Sequence, residues 1–278
     1  MTLVLRTRAE LREALAGAPR PVGLVPTMGW LHAGHRSLMQ RARADDATTV
    51  TTIFVNPRQF NAAGDFSRYP RDEVRDLAIC EAEGVDIVWA PPVEEVYVPG
   101  FDTLVHVGAI AGPLEGSARP GHFDGVVTVV AILFGLVGAE HAYFGQKDAQ
   151  QVMVVRRMAL DLALPTAVIA CPTVREPDGL ALSSRNVHLS GVERAAAPVV
   201  HRALLAGRDS WAAGERSAEA LRDDMRRVLS AEPLAAADYV SVADAATLVE
   251  LERVDGPALL STAVRFGSTR LIDNEPLS

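Results

Sequence analysis

Two rhythms of apolar residues alternate over the first two-thirds of the chain. Short apolar or β-branched runs, "VGLVPT" from Val22, "TTVTTIFVN" from Thr48, "VDIVWA" from Val85, "HAYFG" from His141 and "TAVIACP" from Thr166, predict buried strands. Between them the spacing is helical. "HAGHRSLMQRARADD" places His35, Leu38, Met39 and Ala42 on one face, "RDEVRDLAICEAEG" is closed by Gly84, and "DAQQVMVVRRMALDLAL" ends before Pro165. "FDGVVTVVAILFGLVGA" carries the longest apolar stretch, Val126 to Ala139, and predicts a buried helix. Thr7-Arg8-Ala9-Glu10 fits a capping box, so a short helix is expected near the start.

Strands alternating with helices imply a parallel sheet covered on both faces, a Rossmann-like α/β domain spanning 1–186. The rhythm changes near Asn186. Ser190-Gly191-Val192-Glu193 is a second capping box and opens one helix, "GVERAAAPVVHRALLAG". "SAEALRDDMRRVLSAE" predicts another, followed by the strand "DYVSV" and a hairpin, "ALLSTAVRFGSTRLID". These predict a second, smaller α+β domain over 187–278.

Composition narrows the class. The 278 residues are 49% hydrophobic and 22% charged, as in ordinary globular proteins. A formal charge of -8 leaves no excess cation to neutralise phosphate backbones or acidic lipid, so neither a nucleic-acid nor a membrane partner is expected. The longest apolar stretch is short for a span and interrupted by glycine. No apolar leader stands out in "MTLVLRTRAELREAL". Two cysteines, Cys80 and Cys171, without a CxxC, argue for a reducing cytoplasm.

Ligands of open parallel sheets sit outside the carboxyl ends of the strands. "PTMGWLHAGH", "NPRQF", "GQKDAQQ" and "TVREPDGLALSSRN" each follow a predicted strand there, and their polar and glycine-rich character predicts that they converge on one crevice. His32 and His35 stand three apart at a helix start, where free N–H groups and the dipole favour an anion, and Gly29 and Gly34 allow close approach. A zinc reading of the pair lacks a third ligand, and no metal-binding residue is expected. Of 27 basic residues one alone, Lys147, is lysine. Read alone, it is a solvated cation and Asp148 a helix-start acid. In the crevice, Lys147 suits a triphosphate and Asp148 a ribose hydroxyl. Gln59 and Gln151 suit a polyhydroxy acid, although each alone reads as a surface amide. Ser183, Ser184 and Arg185 add two hydroxyls and a guanidinium. No P-loop, GxGxxG or HExxH occurs. Two histidines and a lysine around a pentacoordinate α-phosphate fit nucleotidyl transfer without a protein nucleophile.

"PTMGWLHAGH", "IFVNPRQF", "YPRD", "LEGSARPGHFDGV", "YFGQKDAQQ", "PTVREPDGLALSSRN" and "TRLIDN" together closely resemble the pantoate–β-alanine ligases (pantothenate synthetases) of the HxGH nucleotidylyltransferase superfamily. The resemblance implies two steps. ATP and (R)-pantoate give pantoyl adenylate and pyrophosphate; β-alanine then displaces AMP to give pantothenate. It implies that Met28, Gly29, Trp30, Leu31, His32, Ala33, Gly34 and His35 line the ATP site, with His35 as general acid and His32 on phosphate. Gly145, Gln146, Lys147 and Asp148 would hold ribose and phosphates, with Lys147 catalytic beside the two histidines. Val174 would meet adenine through its main chain, and Leu182, Ser183, Ser184 and Arg185 would close over the triphosphate. Gln59 and Gln151 would hold pantoate and β-alanine. Mg²⁺ would come with ATP, and a cytoplasmic homodimer is expected. Trp30, Arg58 and Gln146 depart from the residues common at their positions. The rival readings are another HxGH nucleotidylyltransferase and a non-catalytic nucleotide-binding regulator.

Overall fold

A computed structural model describes residues 1–60, 66–67 and 69–278. They form two compact units, Met1–Gly145 with Gln150–Pro172, and Gln146–Ala149 with Thr173–Ser278.

The first unit is the α/β layer structure that the alternating pattern predicts. Its strands are β1 (Leu3–Leu5), β2 (Val22–Thr27), β3 (Thr48–Ile53), β4 (Ile87–Trp89), β5 (His141–Gly145) and β6 (Ala167–Cys171). All pair in parallel, in the order β1-β4-β3-β2-β5-β6. The chain therefore winds one way from β2 through β3 and the other way through β5, which makes the gap between the carboxyl ends of β2 and β5 the topological switch point. β2 and β3 are buried on both faces, so they read as continuous apolar or threonine-rich runs rather than alternating ones.

The helices of this unit are α1 (Arg8–Ala16), α2 (Ala33–Asp45), α3 (Glu73–Ala82), α4 (Val93–Val96), α5 (Glu115–Ala118), α6 (His122–Val137) and α7 (Ala149–Asp161), the last beginning in the other unit's short 146–149 segment. α1 starts in the expected capping box at Thr7. α6 is the buried helix: Phe123, Val126, Val127, Val130, Leu133 and Phe134 all lie in the main core, and Gly138 ends it in the left-handed conformation.

The second unit is the smaller α+β structure. Helices α8 (Gly191–Ala196), α9 (Val199–Ala212) and α10 (Ala218–Ser230) accompany the antiparallel strands β7 (Ala236–Asp244), β8 (Ala258–Phe266) and β9 (Thr269–Leu277). Leu204, Leu221, Met225, Leu260 and Phe266 are fully buried at its centre. The hairpin forms as expected, turning at Gly267 with φ 55°.

Two details differ from the sequence expectation. "GVERAAAPVVHRALLAG" is not one helix: α8 opens at the expected Ser190 box, but the chain breaks at Pro198, whose missing N–H cannot continue the ladder, and α9 restarts there. Residues 146–149 and 173–186, counted with the first domain by pattern, pack with the second unit. Arg175 explains this for the longer segment, because it forms a two-pronged ion pair with Asp273 on β9, at 2.6 and 3.1 Å.

Candidate active site

The loop after β2 is built around one buried carboxylate. Asp76, on α3 and 1% exposed, accepts the N–H of Trp30 at 2.7 Å and of Leu31 at 2.8 Å. Gly29 has φ 80°, and a Cβ added there would lie 2.9 Å from Asp76 Oδ2, so the loop passes too close for any side chain. Trp30 itself has φ 51°. Its ring lies under the Arg75 guanidinium, 5.1 Å from the centroid, while Arg75 Nη2 donates to Leu31 O at 2.7 Å. The unusual tryptophan is thereby accommodated in the loop.

That loop delivers the two histidines to the start of α2. His32 is the N-cap and His35 the third helical residue, and they form a reciprocal capping box. Gly34 N–H donates to His32 Nδ1 (3.1 Å), and His32 N–H donates to His35 Nδ1 (3.2 Å). With Nδ1 accepting in both rings, the neutral imidazoles carry their protons on Nε2. The ring centroids are 4.1 Å apart. The result is a pair of adjacent imidazole donors beside a helix N-terminus, the arrangement an anion needs. Ala33 lies exposed between them.

After β3, Pro57–Gln59 forms a single 3₁₀ turn capped by Asn56. Gln59 is buried, against the surface-amide alternative. Its Oε1 accepts from Asn56 Nδ2 (2.9 Å), and its Nε2 reaches Met28 Sδ (3.0 Å). The structure thus joins Gln59 to the first residue of the expected ATP loop. Tyr97 Oη donates to Asn56 Oδ1 at 2.7 Å, and burial pushes the Tyr97 hydroxyl up to about 12. Arg58 lies over the rings of Tyr97 and Phe101, at 4.9 and 5.0 Å, which gives this departure a packing role. On α7, Gln150 is buried and binds Ile110 O and Pro113 O, whereas Gln151 is half-buried.

In the second unit, Gln146–Asp148 is a 3₁₀ turn continuing from Gly145 at the end of β5. The Lys147 side chain is 16% exposed, and its Nζ lies 3.4 Å from Asp148 Oδ1. Asn274, from the "TRLIDN" segment, clamps this turn. Its Nδ2 donates to Gln146 O and Lys147 O, each at 2.9 Å, and its Oδ1 accepts from Gln146 Nε2 at 3.2 Å. Nothing in the sequence pattern assigned Asn274 that role, nor Asp76 its own.

Residues 174–182 fold back on themselves. Leu182 N–H donates to Val174 O (3.0 Å), Glu176 N–H to Leu180 O (2.8 Å), and Gly179 turns the chain at φ 91°. This takes up the Val174 carbonyl. Ser183 then caps a 3₁₀ helix, Ser184–His188, with its Oγ accepting from Arg185 N–H (3.2 Å), and Arg185 is exposed. Among the described residues no group of three or more His, Cys, Asp or Glu is placed to hold a metal ion, and both Asp76 oxygens are engaged by the loop. No described helix is long and apolar enough to cross a membrane.

Comparison with known proteins adds the family. The pantoate–β-alanine ligase family model matches residues 3–276. A pantothenate synthetase of Roseiflexus sp. (strain RS-1) is 61% identical over 271 residues, covering 98% of each chain. The crystal structure of pantothenate synthetase from Thermus thermophilus superposes with a TM-score of 0.94 at 48% identity, covering 99% of both chains. That of the pantoate–β-alanine ligase from Francisella tularensis, complexed with beta-gamma ATP and β-alanine, gives 0.81 at 31% identity, covering 99% of this chain and 97% of that one. With the histidine pair, the glutamine turn and the lysine turn all lying inside a match of this length, the chain belongs to the pantoate–β-alanine ligase family.

Proposed function

We propose that the chain condenses (R)-pantoate with β-alanine at the expense of ATP, releasing AMP and pyrophosphate. The observation that carries this reading is the His32–His35 pair, two Nε2–H donors at the start of α2, at the carboxyl end of β2.

In the first step a pantoate carboxylate oxygen attacks the α-phosphorus of ATP, and the bond to the β-phosphate oxygen breaks. Charge then accumulates on phosphate oxygens. His32, His35 and Lys147 serve as donors to that charge, with His35 supplying a proton toward the leaving pyrophosphate. Met28–His35 and Gly145–Asp148 hold the nucleotide, with Asp148 on ribose, Val174 on adenine through its N–H, and Leu182–Arg185 on the phosphates. Gln59 and Gln151 hold pantoate and orient its carboxylate. In the second step the β-alanine amine attacks the acyl carbon, the C–O bond to the adenylate breaks, AMP leaves and the amine loses a proton. Mg²⁺ would arrive with ATP and would offset part of the phosphate charge.

The second unit, expected by pattern as 187–278 and extending back to Thr173, acts as a lid domain. The enzyme works in the cytoplasm as a homodimer; two free, buried cysteines fit a reducing compartment. The decisive assay supplies ATP, pantoate and β-alanine and reads AMP and pyrophosphate. AMP release that requires both acids is expected; AMP release indifferent to pantoate would overturn the reading.

A further inference from the structure

The segment "RPGH" has no part in the residues assigned above to nucleotide or acid. Arg119–His122 is a β-turn: His122 N–H donates to Arg119 O at 3.0 Å, and Gly121 sits at φ 79°, ψ -7°, the third position of a Pro-Gly type II turn. The turn closes α5 and opens α6, and it brings two side chains together, with Arg119 Nη1 3.0 Å from His122 Nε2. Both also reach one atom far back in the chain, the main-chain carbonyl oxygen of Gln59. His122 Nδ1 is 2.9 Å from it and Arg119 Nη2 3.3 Å.

The chemistry of the donors fixes the protons. A guanidinium only donates, so His122 Nε2 must present its lone pair to Arg119. The ring proton then stands on Nδ1, the atom that faces the Gln59 carbonyl. That carbonyl ends a single 3₁₀ turn and has no further turn of helix to bond it. Three residues into α6, a Cβ added at Gly125 would lie 2.3 Å from Arg58 O and 2.8 Å from Gln59 N. The helix therefore lies main chain to main chain against the turn whose last carbonyl its first residue binds.

We infer that His122, its tautomer set by Arg119, is a positioning residue that fixes Gln59 in the orientation from which it holds the pantoate. The inference rests on the proposed role of Gln59. His122 acts through the main chain of Gln59, whereas Asn56 acts on its side chain.

Steady-state kinetics of four variants test the link. His122→Asn keeps an N–H at the place of Nδ1, and its pantoate KM is expected to stay within about threefold of the parent. His122→Gln moves the N–H one bond outward; its pantoate KM is expected to rise about tenfold, the worth of one lost hydrogen bond, with ATP KM unchanged. Gln59→Ala is expected to raise pantoate KM by itself, and adding His122→Gln to it should raise it no further. Should His122→Gln fail to fold, Arg119→Met reads the same link, with a rise in pantoate KM in the parent and none in Gln59→Ala. A full additional rise in the double variant, or equal rises in both KM values, would overturn the inference while leaving Gln59 in its role. An unchanged pantoate KM in Gln59→Ala would overturn the role of Gln59 and the inference with it.

Discussion

Asp76 holds Trp30: a carboxylate buried on α3 accepts the main-chain N–H of Trp30 at 2.7 Å and, on its other oxygen, that of Leu31 at 2.8 Å. The loop that carries the histidines thus hangs from an acid 46 positions further along the chain. Asp76→Asn replaces one acceptor by a donor facing an N–H, and Asp76→Ala leaves two donors unbonded. Each unmade buried bond costs about 1–3 kcal/mol. Urea unfolding of either variant should therefore show a loss of at least about 1 kcal/mol, with a raised KM for ATP. An Asp76→Asn protein with parental midpoint and ATP KM would show that the loop needs no such support.

Gly29→Ala tests the same contact from the other side. The substitution meets a backbone at φ 80° and places its Cβ 2.9 Å from Asp76 Oδ2. Strain and clash act together, because the Asp76 carboxylate can move aside only by breaking its bonds to Trp30 and Leu31. The expected outcome is loss of ATP binding larger than that of Gly34→Ala, where φ is ordinary and the nearest atom belongs to the His32 ring. Isothermal titration with ATP compares the two directly, and equal losses would count against the contact.

Much of this was legible in the sequence, and each exception has its own physical cause. The Thr7 and Ser190 capping boxes, the buried helix α6 and the Gly267 hairpin follow from local rules acting within a few residues. The histidine pair and the lysine turn lie after β2 and β5, a placement that residue type and strand order predict. The three-residue β1 is too short for any period to register. The break at Pro198 was hidden because the apolar rhythm runs through "AAAPVV" undisturbed. Asp76, Asn274 and the Arg119–His122 pair were out of reach for a different reason. Their partners stand 46, 127 and 63 positions away, and a hydrogen bond across such a distance leaves no periodic trace.

Stability should also respond to pH through His201. Burial, and then the nearby Arg175, hold its imidazole below the ordinary value of 6.5, against the pull of Asp273 and Glu275. The unfolded chain therefore binds more protons than the folded one between the lowered value and 6.5. The sign follows: this contribution is fully present above 6.5 and is lost as pH falls below it. Urea midpoints measured at pH 7.5 and pH 5 should fall more for the parent than for His201→Gln. Parallel lines would show that His201 is not the group responsible.

Asn274→Ala should weaken the lysine turn without touching the lysine. Asn274 Nδ2 bonds both Gln146 O and Lys147 O, and the residue is buried. Its removal leaves two carbonyls without their donor, so the turn should loosen where Lys147 departs from β5. The expected signature is a drop in the rate of adenylate formation with little change in pantoate KM. Pre-steady-state measurement of pyrophosphate release separates the two, and a raised pantoate KM with a normal rate would contradict the role.

Lys147→Arg is the sharpest test of the site, because it keeps the charge and changes only the shape. The parent side chain is 16% exposed, and its ammonium sits 3.4 Å from Asp148. Lysine puts a compact charge at the end of a narrow stem, whereas guanidinium is broad, planar and directional. Stabilising charge in a transition state depends on where the donor stands, and losing one such donor costs about 10²–10³ in kcat. Lys147→Arg should therefore lose nearly as much as Lys147→Ala in single-turnover adenylate formation at saturating ATP, while pantoate binding changes little. Arginine is otherwise the only basic side chain besides histidine that this chain uses. If Lys147→Arg stayed within about threefold of the parent, well short of the loss of a placed donor, the single lysine would be a matter of composition and its catalytic role would fall.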